Sequence, residues 1–192
     1  TASVAELCKL LNASPATIRR DLDVLQSEGL IVRSYGGASV QPKQPAEQAF
    51  AVREQEDVEA KRAIAKSVID LINPGETVFL NGGSTSLAVA RELAISNLKL
   101  FVATPGIHIA TVIAENENIT VCLLGGFVQR NLLVTSGLFT EAMIDQINAD
   151  IAIIAGDAFD PEQGLSFDSP TDATEARHML RSSKRWVALV TG

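Results

Sequence analysis

The chain has 192 residues, of which 46% are hydrophobic and 20% are charged, and its formal net charge is −7 at pH 7. This composition is typical of a globular protein with a buried core and argues against a disordered or fibrous chain. The cysteines and histidines are not spaced for a disulfide framework or a zinc site, so we expect no metal and no cofactor. No apolar run reaches the roughly 20 residues that span a bilayer, and the first residues lack a signal-peptide pattern; we therefore expect a cytoplasmic protein with reduced thiols.

The first predicted elements are two short helices and a pair of strands. Residues 4–11 carry apolar side chains at helical spacing, and "NAS" follows as a turn. The second helix is predicted to begin with Ser14 as N-cap and Pro15 in its first turn, and to stop at Gly29. Two short strands are then predicted around a turn at 35–37. This order is typical of a helix-turn-helix followed by a wing.

The second helix has the surface that a DNA-reading helix needs. Ile18, Leu22 and Leu25 share one face, which is predicted to be buried. The opposite face carries hydroxyl and cationic side chains near its start, which suits insertion of the N-terminal end into a major groove. We predict DNA contacts from Ser14, Pro15, Ala16, Thr17, Arg19 and Arg20, and from Arg33 in the wing. The alternative is a surface helix on which the arginines pair with neighbouring aspartates.

Charge is distributed unevenly along the chain. Residues 1–40 hold four basic and four acidic side chains, so residues 41–192 carry the whole net charge of −7. An acidic body repels nucleic acid. Any DNA contact must therefore come from a local cluster at one end of the molecule.

The sequence after the predicted wing indicates a linker and an α/β domain. Pro42 and Pro45 lie among polar residues, which predicts a linker over 41–56 with the domain boundary near 41–49, after a DNA-binding domain at 1–40. A helix is predicted over 57–72. Strands are then predicted at 77–80, 98–103, 119–124, 151–155 and 186–190, and helices at 85–94, 106–115, 138–147 and 172–183. Because strands such as "IAIIA" and "WVALV" are almost continuously apolar, we expect an open parallel sheet covered on both faces, as an α/β domain over 57–192.

Several loops that follow predicted strands suit an anionic ligand. "ETVFL" runs into "NGGSTS", where Gly82 and Gly83 allow backbone N–H groups to converge at a helix N-terminus. This turn lacks the lysine of a Walker motif and the spacing of a dinucleotide fingerprint. Loops at 104–106, 125–126 and 156–160 follow neighbouring strands at the same sheet edge, where open α/β sheets bind ligands. The alternative for the glycines is an ordinary tight turn.

The predicted ligand contacts combine these loops with one cation and one carboxylate. They are Asn81, Gly82, Gly83, Ser84, Thr85, Ser86, Thr104, Gly125, Gly126, Arg130 and Asp157. Arg130 is predicted to supply the cation, and Asp157 and Asp160 to accept sugar hydroxyls. The alternatives are a solvated surface charge for Arg130 and a turn cap for Asp157.

The segment "VAELCKLLNASPATIRRDLDVLQSEGLIVRSYGGA" resembles the winged helix-turn-helix of the DeoR family of bacterial transcription regulators. Residues 57–192 resemble the family's C-terminal sensor, which is similar in fold to ribose phosphate isomerases and CoA transferases and responds to phosphorylated sugars. The motifs are "NGGST", "TP", "LGG" and "AFDPEQGLSF", and "AFAVR" matches a Phe and an Arg near the linker. In this sequence Asn81 replaces an acid and Pro105 an amide. The family has a further helix before residue 4 and a lysine-bearing loop after residue 192, so we expect a truncated chain.

This resemblance implies a repressor of a sugar catabolism operon that binds operator DNA under the control of a phosphorylated sugar. Since operator half-sites pair with protein symmetry, we expect a homodimer or homotetramer. We expect no enzymatic activity and no catalytic residue. Two alternatives stay open: a sugar phosphate isomerase-like enzyme with Asp157 or Asp160 as general base, and a DNA-binding protein whose sensor fold serves only oligomerisation.

Overall fold

The computed structural model describes residues 2–27, 31–34, 37–40, 46–130 and 132–190. The chain divides into two compact units, Thr1–Gln44 and Pro45–Gly192. Within the described ranges, no helix combines the length and apolarity that crossing a membrane requires.

The N-terminal unit combines two helices with a three-stranded antiparallel sheet. Its elements are β1 (Ala2–Ser3), α1 (Val4–Leu11), α2 (Pro15–Ser27), β2 (Ile31–Ser34) and β3 (Gly37–Val40). The strand order is β1-β3-β2, so the predicted wing is present and a short N-terminal strand adds to its edge. The predicted helix stop at Gly29 and the turn residues Tyr35 and Gly36 lie outside the described residues.

Packing in this unit centres on the first half of α2. Ile18 and Leu22 are buried, and partly buried side chains of α1, including Leu7, pack against them. Leu25, predicted to share this buried face, is instead 37% exposed. The described buried cluster of this unit includes Ile18 and Leu22 but not Leu25.

The C-terminal unit is an α/β domain built on one parallel sheet. Its helices are α3 (Ala46–Gln55), α4 (Val58–Ile69), α5 (Ser84–Ala94), α6 (Ile107–Ile113), α7 (Leu138–Ile144) and α8 (Pro170–Arg181). Its strands are β4 (Thr77–Leu80), β5 (Leu100–Thr104), β6 (Ile119–Leu123), β7 (Phe127–Gln129), β8 (Val134–Ser136), β9 (Ala149–Ala155), β10 (Ala158–Asp160), β11 (Gly164–Ser166) and β12 (Ser183–Leu189). The five predicted strands form the sheet, in the order β12-β9-β4-β5-β6, which confirms the predicted fold class.

Helices cover both faces of this sheet, as expected for strands that are apolar throughout. One buried cluster joins the sheet to α4, α5 and α6, with Val68, Leu93 and Ile113 among its side chains. The other joins the opposite face to α7 and α8, through Ile144 and Met179. The helices α5 and α8 therefore lie on opposite faces.

Two features differ from the prediction. The hairpins β7–β8 and β10–β11 were not predicted, because strands of three residues are too short to show an alternating pattern. Residues 46–55, within the predicted linker, form the helix α3, which packs against α5. Phe50 explains this, since it packs against the core and its ring stacks on His108 with 6.1 Å between centroids.

The strand order creates one topological switch point. The chain proceeds from β4 to β5 and β6 in one direction, and then returns to β9 on the other side of β4. The connections after β4 and β9 therefore leave toward helices on opposite faces. This divergence opens a crevice at the carboxyl ends of the two strands, which is where open α/β sheets bind ligands.

Candidate functional site

A cavity of about 260 Å³ lies at this switch point. Its lining comprises Arg53, Glu56, Asp57, Lys61, Asn81, Gly82, Gly83, Ser84, Thr85, Pro105, Leu132, Val134, Ala155, Gly156, Asp157, Phe167, Asp172, Glu175, Ala176 and Met179. This volume is below the ~300–1,000 Å³ of pockets for drug-sized ligands, so it suits a small metabolite. Six of the predicted ligand contacts lie together here: Asn81, Gly82, Gly83, Ser84, Thr85 and Asp157.

Asn81 joins the two strands that flank the cavity. Its Nδ2 donates to the carbonyl of Ala155 and its Oδ1 accepts from the N–H of Ala155, each at 2.8 Å. The same Oδ1 accepts from the hydroxyl of Ser86 at 2.9 Å. A carboxylate could not donate to the Ala155 carbonyl, so the amide at position 81 makes a bond that an ionised acid there would lose.

The loop after β4 presents the N-terminus of α5 to the cavity. Gly83 is the N-cap of α5 with φ of 115°, a conformation that L side chains rarely adopt. A side chain at Gly82 would collide with Val134. Because the N-cap has no side chain, the first-turn N–H groups at Ser84 and Thr85 are available to an anion, which the helix dipole also favours.

Two cations that the residue patterns did not single out for the cavity, Arg53 and Lys61, are part of its lining. Arg53 pairs with Asp157 at 3.0 Å, with the two side chains 39% and 31% exposed. Lys61 is buried and donates to the carbonyls of Arg53 and Glu56, the latter at 2.7 Å. Helical spacing could have predicted that Lys61 is buried, because it precedes the buried Ala65 by four residues and so lies on the same face of α4.

The two aspartates predicted to accept sugar hydroxyls lie in different places. Asp157 lines the cavity, where Oδ1 accepts from Arg53 and Oδ2 accepts from the N–H of Asp168 at 2.8 Å. Asp160 lies in the exposed hairpin outside the lining, and its Oδ1 accepts from the N–H groups of Glu162 and Gln163. Those bonds are the turn cap that such a carboxylate makes.

The side of α8 that faces the cavity is acidic. Glu175 is 4% exposed, and its Oε1 accepts from the N–H of Gly137 at 2.9 Å. The pKa of Glu175 is raised to about 7, mainly by burial and in part by the nearby Asp172 carboxylate, against the lowering effect of the Gly137 N–H bond. Burial also raises the pKa of Asp172. Helical spacing could have predicted that Glu175 lies on the buried face of α8, since it is four residues before the buried Met179.

The remaining predicted ligand contacts lie outside this lining. Ser86 and Thr104 are fully buried, and the Thr104 hydroxyl accepts from the N–H of Gly106 at 3.0 Å. The carbonyl of Gly125 accepts from Thr140 at 2.7 Å, and Gly126 follows it in the same turn. Arg130 is exposed at the end of β7. The cations of the described lining are thus Arg53 and Lys61, and not Arg130.

A second candidate site is the start of α2. Ser14 caps this helix, because its Oγ accepts from the N–H of Thr17 at 3.2 Å and lies 2.9 Å from the Thr17 hydroxyl. Pro15, Ala16, Arg19 and Arg20 are exposed on the described surface of the unit. Their exposure leaves this end of the helix accessible to a nucleic acid. The side chain of Arg33 lies outside the described part of the chain.

Family comparisons cover both units. The DeoR-like helix-turn-helix domain matches residues 1–44, and the DeoR C terminal sensor domain matches residues 56–192. The HTH-type transcriptional regulator GolR of Listeria innocua serovar 6a is 34% identical over 189 residues, which cover 98% of this chain and 74% of that protein. The lactose phosphotransferase system repressor of Lactococcus lactis is 34% identical over 128 residues, or 66% of this chain and 50% of the repressor.

Among solved structures, ribose 5-phosphate isomerase A from Methanocaldococcus jannaschii is similar to the chain with a TM-score of 0.51. The match covers 69% of this chain and 52% of the isomerase at 18% identity. At that identity the similarity is one of fold.

Proposed function

Because the chain belongs to the DeoR family of transcriptional regulators, we propose that it represses a sugar catabolism operon and that a phosphorylated sugar in the cavity controls its binding to operator DNA. Its relatives are named as regulators and repressors, so the chain is a regulator rather than an enzyme. The name of the Lactococcus repressor, which refers to a lactose phosphotransferase system, supports a sugar-derived signal.

One observation carries the effector proposal: the N-terminus of α5, Arg53 and Lys61 line one cavity at the topological switch point. Backbone N–H groups at a helix N-terminus and a planar guanidinium are the groups that bind phosphate most effectively. The Arg53–Asp157 pair is partly exposed, so it contributes at most about 1 kcal/mol to stability. A ligand phosphate can therefore recruit Arg53 at small cost.

The relay that we propose runs through the end of α3. Lys61 holds this end by its bonds to the carbonyls of Arg53 and Glu56, and Arg53 itself belongs to α3. A phosphate that draws both cations toward the cavity changes the contacts that hold α3, the first element of the C-terminal unit. A ligand shifts DNA binding only by its differential affinity for the two states, typically about 1–3 kcal/mol of coupling.

At the DNA end, we propose that α2 enters a major groove with Ala16, Thr17, Arg19 and Arg20 toward the bases and phosphates. Ser14 and Pro15 start the helix, and Arg33 contacts the backbone from the wing. A single N-terminal unit would bury too little surface against DNA for the affinity typical of specific operator binding. We therefore propose that the protein acts as a homodimer or homotetramer. Sedimentation equilibrium tests this, and a monomer at micromolar concentration would contradict it.

Thermal unfolding tests the effector proposal. A ligand at about 100 times its Kd adds roughly 2.7 kcal/mol, which raises the Tm by about 5–10 °C for a chain of this size. We expect this shift with a phosphorylated sugar of four to six carbons, and not with the free sugar. If no member of a panel of aldose, ketose, polyol and amino sugar phosphates shifts the Tm, the proposal is wrong.

Two variants at one position locate the site. Ser84→Glu sets a carboxylate at the first residue of α5, where the helix dipole favours it, so folding is retained while the anion position is taken. Ser84→Gln adds the same bulk without charge. We expect the Glu variant to lose the ligand shift and the Gln variant to keep most of it.

A further inference from the structure

The two ends of the cavity differ in charge. The loop at 82–85 faces it from the α5 side of the sheet, and Asp172 and Glu175 face it from α8, on the opposite side. A ligand with its phosphate at the N-terminus of α5 therefore extends toward the carboxylates of α8. Those two side chains line the part of the cavity that the far end of such an effector would reach.

Glu175, a lining residue of the cavity, has an acceptor oxygen besides the one bonded to Gly137. The residue is 4% exposed, and its Oε1 is bonded to the N–H of Gly137. Among the described residues, Oε2 has no hydrogen-bond partner, and the residue lines the cavity. This oxygen can accept a hydrogen bond from a hydroxyl group of a ligand.

The cavity has no cation to spare for a second anionic group. The described lining holds five acidic side chains, at Glu56, Asp57, Asp157, Asp172 and Glu175, against the two cations Arg53 and Lys61. Arg53 is paired with Asp157, and Lys61 donates to main-chain carbonyls. One phosphate can be compensated by these cations and by the α5 amides. Above pH 7, where Glu175 is mostly ionised, a further carboxylate would meet like charge on the α8 side of the cavity.

Resting on the proposed function, we infer that Asp172 and Glu175 select effectors whose only anionic group is the phosphate. The class is then sugar and polyol phosphates with a neutral, hydroxylated far end, and phosphorylated sugar acids are excluded. The hydroxyl donates to Glu175 or Asp172. A carboxylate in its place is repelled across a partly desolvated gap, which gives selectivity by rejecting the wrong ligand rather than by binding the right one more tightly.

Calorimetric titration with matched pairs tests this inference. Each pair is a sugar phosphate and its oxidised acid: erythrose 4-phosphate with 4-phosphoerythronate, ribose 5-phosphate with 5-phosphoribonate, and glucose 6-phosphate with 6-phosphogluconate. The neutral-ended ligand that gives the largest Tm shift in the wider panel is titrated alongside them. We expect every acid to bind at least about 10-fold more weakly than its partner and than that ligand. An acid that binds as tightly as its neutral partner overturns the inference and leaves the proposed function standing. If no phosphorylated sugar of either kind binds, both fail.

Isosteric variants separate this role from a structural one. Glu175→Gln keeps an acceptor for the Gly137 N–H and removes the charge, and Asp172→Asn removes the charge three residues earlier. We expect each to lower the ratio of sugar phosphate affinity to acid affinity by at least about 5-fold. Glu117→Gln, at an exposed position outside the lining, is the control. If neither α8 variant reduces the difference in affinity between the sugar phosphates and their acids, these carboxylates do not set ligand specificity.

Discussion

Asn81 and Ala155 are joined by two hydrogen bonds of 2.8 Å, in which the side-chain amide both donates to and accepts from the backbone of the neighbouring strand. This pair holds the carboxyl ends of β4 and β9 at the point where the cavity opens. The position where the resemblance leads us to expect an acid is thus occupied by a group that an acid could not replace here without loss.

Asn81→Asp is expected to destabilise the fold. The carboxylate would retain the acceptor for the Ala155 N–H but would face the Ala155 carbonyl with a second oxygen, leaving that partly buried carbonyl without its donor. The expected loss is about 1–3 kcal/mol in the free energy of unfolding, measured by urea denaturation at pH 7.5. Asn118→Asp, at an exposed position, makes the same change of charge and should stay within about 0.5 kcal/mol. Equal effects of the two substitutions would show that the Ala155 pairing contributes little.

Lys61→Met is expected to loosen the end of α3. The variant keeps the apolar stem but leaves the carbonyls of Arg53 and Glu56 without their ammonium donor. Hydrogen exchange should become at least about 10-fold faster for amides at 52–57 while the central strand β4 keeps its protection. Lys66→Met, on the exposed side of the same helix, is the control. Unchanged hydrogen exchange at 52–57 would show that Lys61 does not stabilise the end of α3.

Glu175 should give stability a dependence on pH. Its pKa is about 7 in the folded protein against 4.5 as the ordinary value, so the folded state holds the proton more tightly. Stability is therefore greater below pH 4.5 and falls as pH rises through 7, by up to about 3 kcal/mol. The groups that act on this carboxyl are the Gly137 N–H, the acids Asp172 and Glu141, and His178.

Glu175→Gln removes this titration and leaves the others in place. Relative to wild type, the variant should gain stability between pH 5 and pH 7 and level off above that range, as followed by the urea midpoint at each pH. Parallel curves for the two proteins over this range would mean that the carboxyl is not perturbed in this way.

Arg20→Ala should weaken DNA binding without destabilising the N-terminal unit, because the side chain is exposed. One bidentate contact to a base is worth about 1–3 kcal/mol, so the expected loss is about 5- to 150-fold in affinity, measured by fluorescence anisotropy at fixed salt. Gln26→Ala, exposed nearer the end of the same helix, is expected to change affinity by less than about 2-fold. If both substitutions have the same small effect, α2 does not read DNA with its N-terminal end.

The sequence was sufficient to predict the sheet and its helices, because strands buried on both faces are apolar throughout and the helices between them are amphipathic. The sequence did not predict the elements that form only because they pair with or pack against distant parts of the chain. The three-residue hairpin strands are too short to show an alternating pattern. The sequence of α3 is typical of a linker, and its helix is explained only by the packing of Phe50 on the core. Leu25 has the spacing of a buried residue but is 37% exposed.

For the cavity, the sequence indicated the loop after β4 and Asp157, since both follow apolar strands. It did not indicate which of several strand ends form the crevice, because that depends on strand order. Arg130 and Gly125 follow strands too, but only β4 and β9 flank the switch point. Lys61 is buried because the end of α3 supplies its carbonyl acceptors, and no local pattern contains that contact. The DNA and effector contacts stay predictions.

The central claim is that a ligand in the cavity controls DNA binding, and one measurement tests it most directly. Operator DNA is selected from a random-sequence pool with the full-length protein, and its affinity is measured by fluorescence anisotropy with and without a saturating phosphorylated sugar, for wild type and for Ser84→Glu. We expect the ligand to change the affinity of the wild type by about 5- to 150-fold and to leave that of the variant unchanged. A sugar phosphate that binds the wild type with no change in DNA affinity, or that changes the affinity of both proteins equally, would contradict the account.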